Sequence, residues 1–468
     1  MNPNATNNAM KTLADIQHLE GVKVLLRVDF NVPMKNGAIT DDFRIRKALP
    51  TIDFLRNKGA RLILVSHIET SDGLIDVGRF GLGAGNKKMA AGDLKLGASA
   101  RNPLAKKPTL APVADYLKKK GLPVTFVKSL TAAFSSAEAL KDGEIILLEN
   151  IRENPGEKEN DRKFAEQLAS LADIYVNDAF SVSHREHASV CAVTEFLPSY
   201  AGLQLEEEVK QLSAAFSPSH PFIFILGGAK FDTKLPLIQR FSKTADAVFI
   251  GGALANDALK AKGFGVGVSK ISDGTSDISN VVNQPNIMIP VDVVVQDHSI
   301  RMVGGVGGKS KFDVGDMIGV GDSVSTNTNS SVGAGDFLGA GDSIFDAGPK
   351  TIVALKEKIG SAQFILWNGP LGVFEKGFTE GTEALAKIIA DRTENGKKQI
   401  VKSKNKKIEG ENTGAVRSIV GGGDTLAAIS KLGVENKFTF VSTGGGAMLD
   451  FLATGTLPGI EALEKSKE

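Results

Sequence analysis

The chain has 468 residues, 42% hydrophobic and 23% charged, with a formal net charge of +1. That length exceeds one compact core and calls for two or three domains, while the near-neutral balance draws it to neither nucleic acid nor an acidic membrane. A lone cysteine, Cys191, excludes an internal disulfide framework and a multi-cysteine metal site.

Residues 1–10 are polar and Asn-rich, without the charged and apolar regions of a signal peptide. No apolar run approaches the ~20 residues that span a bilayer, so a soluble, cytoplasmic protein is expected. In the first half, Val/Ile/Leu-rich runs predict strands at 22–29, 61–66, 123–127, 144–149 and 173–177. Helical stretches fall between them at about 42–57, 110–119, 131–140 and 161–171. The strand ends and the loops after them carry Arg27-Val28-Asp29-Phe30-Asn31, Ser66-His67, Glu149-Asn150-Ile151-Arg152 and Asn177-Asp178-Ala179-Phe180, with His184-Arg185-Glu186-His187 following. Taken singly, such residues are surface or capping groups. Their common placement after strands makes Arg44, His67, Arg152 and Arg185 a basic pocket for a small anion, since arginine forks grip phosphate and carboxylate oxygens. His184 and His187 lack a third ligand for zinc. Cys191 reads as a small buried residue.

A boundary is expected near Leu197-Pro198-Ser199-Tyr200, followed by an amphipathic helix from Ala201 to about Phe216 that suits a connector and hinge. In the second half, strands are predicted at 221–226, 246–250, 286–291, 363–367, 417–420 and 437–442. Two series of alternating strands and helices imply two doubly wound, Rossmann-like parallel-sheet α/β domains joined by that helix. The expected domains are 1–198 and 199–454, with a tail at about 455–468 apolar enough to pack back on the first.

Four of the later strands end in glycine: Gly227-Gly228-Ala229-Lys230, Gly251-Gly252, Gly421-Gly422-Gly423-Asp424-Thr425, and Gly444-Gly445-Gly446 after Ser442-Thr443. One such cluster is weak. Several along one sheet edge expose N–H groups and helix N-termini that favour phosphates. Lys230 and Lys234, four apart at the start of a helix, would share a face there; alone, this stretch fits a turn with two solvated lysines equally well. Asp424 reads as a Mg²⁺ ligand beside phosphate oxygens or as an N-cap. Trp367-Asn368-Gly369-Pro370 reads as a turn, or as a loop that sets Asn368 by phosphates and Glu375 near a ribose.

Three segments, 73–107, 303–343 and 397–413, lack periodicity and read as surface loop or disorder. Gly-Asp recurs in the second without the spacing of a calcium loop. Its Gly307-Gly308-Lys309-Ser310 would end a P-loop, but Val303 stands where the first glycine is required.

Taken in order, Arg27-Val28-Asp29-Phe30-Asn31-Val32-Pro33, Tyr175 to Phe180, Leu226 to Lys230, Trp367 to Pro370, Gly421 to Thr425 and Ser442 to Gly446 resemble the phosphoglycerate kinase family over about residues 12–465. The resemblance implies an N-terminal domain for 3-phosphoglycerate and a C-terminal one for Mg²⁺ with ATP or ADP. It also implies phosphoryl transfer on hinge closure, with small-molecule partners and a monomer. It assigns Asp29, Asn31, Arg44, His67, Arg152 and Arg185 to phosphoglycerate, with Arg44 also catalytic. Lys230 and Lys234 would face the transferring group, and Gly228, Gly251, Gly252, Asn368, Glu375, Gly423, Asp424 and Thr425 the nucleotide, Asp424 taking the metal. Gly444, Gly445 and Gly446 would shield the transferred group. A carboxylate nucleophile is ionised at neutral pH, so no general base is needed.

Two positions depart from the family pattern. Thr70 stands where the family has a substrate-site arginine, a loss worth about 1.5–3 kcal/mol of binding, with Arg79 nearby as a substitute. Thr233 precedes Lys234 where the family has Asp. A non-catalytic relative that binds nucleotide or protein partners is the competing expectation.

Overall fold

The computed structural model describes residues 10–69, 107–229, 231–272, 278–304, 337–404 and 415–466, with backbone alone at 231–233 and 397–404. The chain divides into two compact units, residues 1–206 with 458–468, and residues 207–457. The division falls within the helix Leu203–Ser213, because Ser199–Ala201 forms a strand of the first unit beyond the expected boundary.

Unit 1 is built on β1 (Lys23–Arg27), β4 (Arg61–Val65), β5 (Val124–Val127), β6 (Ile145–Leu148), β7 (Ile174–Asn177) and β8 (Ser199–Ala201), after a small hairpin of β2 (Met34–Lys35) and β3 (Ala38–Ile39) is set aside. These six strands form one parallel sheet in the order β5-β6-β4-β1-β7-β8. Helices Phe43–Asn57, Ala111–Lys119, Leu130–Ala139 and Arg162–Ala169 connect them. The strands are nearly continuous apolar runs because both faces are covered, and all four residues of β6 are buried. The chain leaves β1 toward one edge and returns to pair β7 on its other side, so the strand order reverses beside β1. The helix Pro458–Glu464 completes this unit: Ile460 and Leu463 are buried and the Gly459 amide donates to the Ser183 carbonyl at 2.8 Å. A β-carbon at Gly459 would sit 2.8 Å from Val190.

Unit 2 holds β9 (Phe222–Leu226), β10 (Ala247–Ile250), β11 (Ile287–Met288), β15 (Phe364–Asn368), β16 (Arg417–Gly421) and β17 (Phe440–Val441) in a second parallel sheet, ordered β11-β10-β9-β15-β16-β17. The reversal falls between β9 and β15. Phe222 and Phe224 of β9 pack their rings on Phe241 at 5.7 and 4.7 Å, which seats the helix Phe231–Phe241 on one face.

Three details differ from the sequence reading. The run 286–291 is not one strand; β11 ends at Met288 and β12 (Asp292–Val295) starts a separate antiparallel sheet with β13 (Ile300–Met302) and β14 (Ile344–Ala347). Asp292 explains the break, because its carboxylate accepts from Lys350 N and Thr351 N at 2.9 and 2.8 Å and caps the helix Pro349–Ser361. Before β17, Glu435–Lys437 coils into a 3₁₀ turn. The third expected insertion begins as helix, since Glu380–Lys404 runs unbroken into it as far as Lys404; Lys and Gln carry enough helix propensity to extend a helix without apolar periodicity. Residues 405–414, and most of the other two insertions, lie outside the described residues.

Candidate active site

In an open α/β sheet, ligands bind at the carboxyl ends of the strands where the order reverses. In unit 2 that crevice lies between β9 and β15, whose ends are laced together: Gly227 N donates to Asn368 O and Gly228 N to Pro370 O, both at 2.8 Å. The approach tolerates no side chain. A β-carbon at Gly227 would meet Pro370 O at 2.2 Å, and one at Gly252 would meet Gly228 N at 2.5 Å. Gly228, Gly252, Gly369 and Gly422 also take left-handed backbone, with φ of 88°, 60°, 90° and 103°. Gly251, after β10, packs on Leu371, where a β-carbon would fall 2.6 Å from its Cδ2.

Lys234, buried in the first turns of Phe231–Phe241, donates from Nζ to Gly227 O at 2.6 Å. Burial lowers its ammonium to about 8, with the Asp424 carboxylate opposing the shift. Asp424 and Glu375 are both exposed, and the Asp424 carboxyl is raised by partial loss of hydration and then by the neighbouring charge of Glu375, with Lys234 opposing. It does not cap its helix: Gly422 is the N-cap of Gly423–Leu432, without a side-chain bond, and Asp424 sits in the first turn. Beside it, the Thr425 hydroxyl is buried and has no hydrogen-bond partner among the described residues, and the side chain of Asn368, also buried, reaches the Met448 sulfur at 3.5 Å. A carboxylate pressed by a second carboxylate, an orphaned hydroxyl and a buried ammonium suit a divalent cation with phosphate oxygens. Among the described residues no cluster of three or more His, Cys, Asp or Glu is placed to hold a metal by itself. One carboxylate with phosphate oxygens is the ordinary Mg²⁺ arrangement.

The last glycine loop is anchored from below. Glu208, wholly buried, accepts from the Ser442 hydroxyl at 2.7 Å and from the Thr443 amide and hydroxyl at 2.6 and 2.8 Å. Ser442 Oγ in turn accepts from Gly444 N at 3.0 Å. Gly445, at φ 53°, then opens the helix Gly446–Thr454, and the Ala447 amide in its first turn donates to Gly444 O at 2.9 Å.

In unit 1 the corresponding edge is basic. Asp29, after β1, accepts from the Asn31 amide at 3.0 Å and from the Ser181 hydroxyl, and pairs with Arg44 at 3.0 Å. Arg44 also donates to Asn31 O at 3.2 Å, and the Asn31 side chain accepts from Glu69 N at 2.9 Å. His67, after β4, is buried; burial and then the charges of Arg27, Arg152, Arg185 and Arg44 hold its imidazole well below the usual histidine range. Its Nδ1 lies 3.2 Å from Arg27 Nη2. Arg152, after β6, has a side chain only 5% exposed; one nitrogen pairs with Glu69, while Nε and Nη2 are buried with no partner among the described residues. Buried guanidinium donors of this kind are able to hold an anion. Arg185 is exposed and donates to His184 Nε2 at 3.3 Å.

Lys230, Thr70 and Arg79 lie outside the described residues. Sequence reasoning missed Arg27, Ser181 and Glu208 as supports of these edges. Arg27 is quoted in a motif, yet nothing local says that its guanidinium turns inward, and Glu208 reads as one more glutamate on an amphipathic helix. Cys191 is half-buried and its thiol is pushed up to about 12 by burial, which makes it a poor nucleophile.

A glycine-edged doubly wound unit with lysine, carboxylate and helix N-termini at its switch point, in a chain with a second, arginine-edged unit, defines a kinase of the two-unit α/β class. The family model for phosphoglycerate kinase matches residues 13–455. A phosphoglycerate kinase of Dictyoglomus turgidum is 39% identical, over 97% of this chain and 99% of its own, and one from a Wolbachia of Drosophila simulans is 39% identical over 96% and 97%. Among solved structures, phosphoglycerate kinase from Coxiella burnetii aligns with a TM-score of 0.68 at 32% identity, covering 98% of this chain and 100% of its own. That from Pyrococcus horikoshii aligns with a TM-score of 0.70 at 26% identity, over 97% and 98%. The chain belongs to the phosphoglycerate kinase family.

Proposed function

We propose that the protein catalyses reversible, Mg²⁺-dependent transfer of the γ-phosphoryl group of ATP to the carboxylate of 3-phosphoglycerate, giving 1,3-bisphosphoglycerate and ADP. The observation that carries this reading is the unit 2 crevice, where Lys234, Asp424 and the orphaned Thr425 hydroxyl meet the glycine edge. In this reading unit 2 takes the nucleotide, through Gly228, Gly251, Gly252, Asn368, Glu375, Gly423 and Thr425, and unit 1 takes phosphoglycerate. Arg152, His67, Arg185, Arg44, Asn31 and Asp29 grip the acid, the two free guanidinium donors of Arg152 turning toward its anionic oxygens.

The substrate carboxylate attacks without losing a proton, so these residues align and neutralise rather than abstract. Lys230 and Lys234 offset charge on the transferring phosphoryl oxygens, and the amides of Gly445 and Gly446 at a helix N-terminus hold them in place. Asp424 would hold the metal, which when bound offsets negative charge on the nucleotide phosphates. A near-neutral chain with small anionic substrates acts in this reading as a cytoplasmic monomer, by closure of its two units.

A coupled assay with 3-phosphoglycerate, ATP and Mg²⁺ tests the reading. Turnover is expected, and pure folded protein that binds nucleotide without turnover would instead establish a non-catalytic relative. Lys230→Ala is expected to lower kcat about 10²–10³-fold while the KM for ATP changes little; a near-normal kcat removes Lys230 from the reaction.

A further inference from the structure

Beneath the basic edge of unit 1 runs a line of buried polar groups. The Glu157 carboxylate, wholly buried, accepts from the Ser189 hydroxyl at 2.7 Å and from the Ser189 amide at 2.9 Å. Ser189 Oγ accepts from Arg27 Nε at 3.0 Å, and Arg27 Nη2 reaches His67 Nδ1 at 3.2 Å. None of the four residues is more than 2% exposed, so water does not compete for these bonds.

The order of donors and acceptors along the line has one solution. An ionised carboxylate only accepts, so the Ser189 hydroxyl hydrogen is committed to Glu157. The serine lone pairs are then turned to Arg27 Nε–H. A guanidinium only donates, so His67 Nδ1 must accept, and the single hydrogen of the neutral imidazole is left on Nε2. We infer that Glu157 and Ser189 are positioning residues, which by orienting Arg27 fix His67 as an Nε2–H donor toward the anionic substrate. The inference rests on the reading of His67 as a substrate-binding group.

The competing role for Glu157 is charge balance alone, since His187 Nδ1 also lies 3.7 Å from its Oε1. That role predicts no change in the His67 ring when the charge is removed but the shape kept. In Glu157→Gln the amide NH₂ meets one of the two Ser189 donors, and the hydroxyl loses its fixed direction. In Ser189→Ala the link to Arg27 Nε is deleted with little change of volume.

Selective ¹⁵N-histidine labelling reads the tautomer directly among six histidines, His67→Gln assigning the resonance. The parent protein is expected to show a protonated Nε2 and an unprotonated Nδ1. Both variants are expected to show mixed tautomers, a KM for 3-phosphoglycerate raised about tenfold or more, as loss of one charge-assisted bond gives, and an unchanged KM for ATP. The double variant is expected to be no worse than the more damaging single one, because the residues act in series. If Glu157→Gln does not fold, Ser189→Ala carries the test alone. A folded variant that keeps the parent ¹⁵N pattern, or one that keeps the parent KM, overturns the inference. Absence of turnover in the parent would overturn the proposed function instead, and the ring spectra would still report on the line.

Discussion

In the proposed reaction, Lys234 would set a pH limit at the glycine edge of unit 2. Its ammonium falls from the ordinary lysine value of 10.5 to about 8 because burial removes its hydration. Below pH 8 it is charged in folded and unfolded chains alike. Between about 8 and 10.5 the unfolded chain retains a proton that the folded chain has lost, so this group makes stability rise with pH across that window. Activity runs the other way. We expect kcat/KM for ATP, which reports the free enzyme, to fall above pH about 8, and the fall in kcat to lie higher, because bound phosphates favour the ammonium. Lys234→Arg should abolish that limb, since guanidinium does not titrate there; an identical limb in the variant would assign it to another group. At the same edge, Gly227→Ala would force a methyl group to 2.2 Å from Pro370 O, so loss of nucleotide binding together with stability is expected, measured by calorimetric titration and thermal melts. Residues such as His67, Arg152 and Asp424 are legible in the sequence because their place is set by the strand just before them. Glu157 and Ser189 are not: Ser189 meets Arg27 from 162 positions along the chain and Glu157 meets Ser189 from 32, and no local pattern encodes those meetings.

The helix Leu203–Ser213 is fastened at its start by a carboxylate that resists ionisation. Asp178 Oδ1 accepts from Gln204 N at 2.8 Å and from the Thr51 hydroxyl at 2.9 Å, while Thr51 Oγ1 accepts from Leu203 N at 3.1 Å. The preceding residue must be glycine, since a β-carbon at Gly202 would lie 2.2 Å from Asp178 Oδ1. Burial raises the Asp178 carboxyl to about 7, against 3.8 in a free chain, and Oδ2 has no partner among the described residues. The folded state therefore holds a proton that the unfolded state has released between those values. Stability contributed here declines as pH climbs through the window, and the full cost is present above 7. Asp178→Asn keeps the accepting oxygen and puts a neutral NH₂ in place of Oδ2. It should gain about 1–3 kcal/mol at pH 8 and nothing at pH 4, read as the difference in melting temperature from the parent; a difference independent of pH would refute the account. The helix itself is legible from its amphipathic pattern, whereas its fastening is not, because Asp178 and Thr51 belong to elements distant in sequence. The helix Glu380–Lys404 shows the opposite case, where charged composition conceals a helix that propensity supports.

Across the whole molecule, the alternation of apolar runs with helical stretches makes both parallel sheets readable from sequence, since strands covered on two faces must be apolar throughout. The small antiparallel sheet of β12, β13 and β14 is not, because its strands are only three or four residues long and are separated by the second insertion. If unit 1 takes the acid and unit 2 the nucleotide, each ligand alone should slow amide exchange in its own unit. With 3-phosphoglycerate, protection should rise around Asp29, His67 and Arg152; with ADP and Mg²⁺, around Gly228, Gly252 and Thr425. Protection of the opposite set would reverse the assignment. The helix Pro458–Glu464, which completes unit 1, has a consequence for synthesis on the ribosome. Strands and helices up to Glu206 emerge first, yet the residues that cover Val190 and Ser183 arrive only after all of 207–457 has been translated. At about 5–20 residues per second that interval is on the order of 10–50 s. During it the nascent first unit waits with the surface around Val190 and Ser183 uncovered, until residues 458–464 are made and fold onto it.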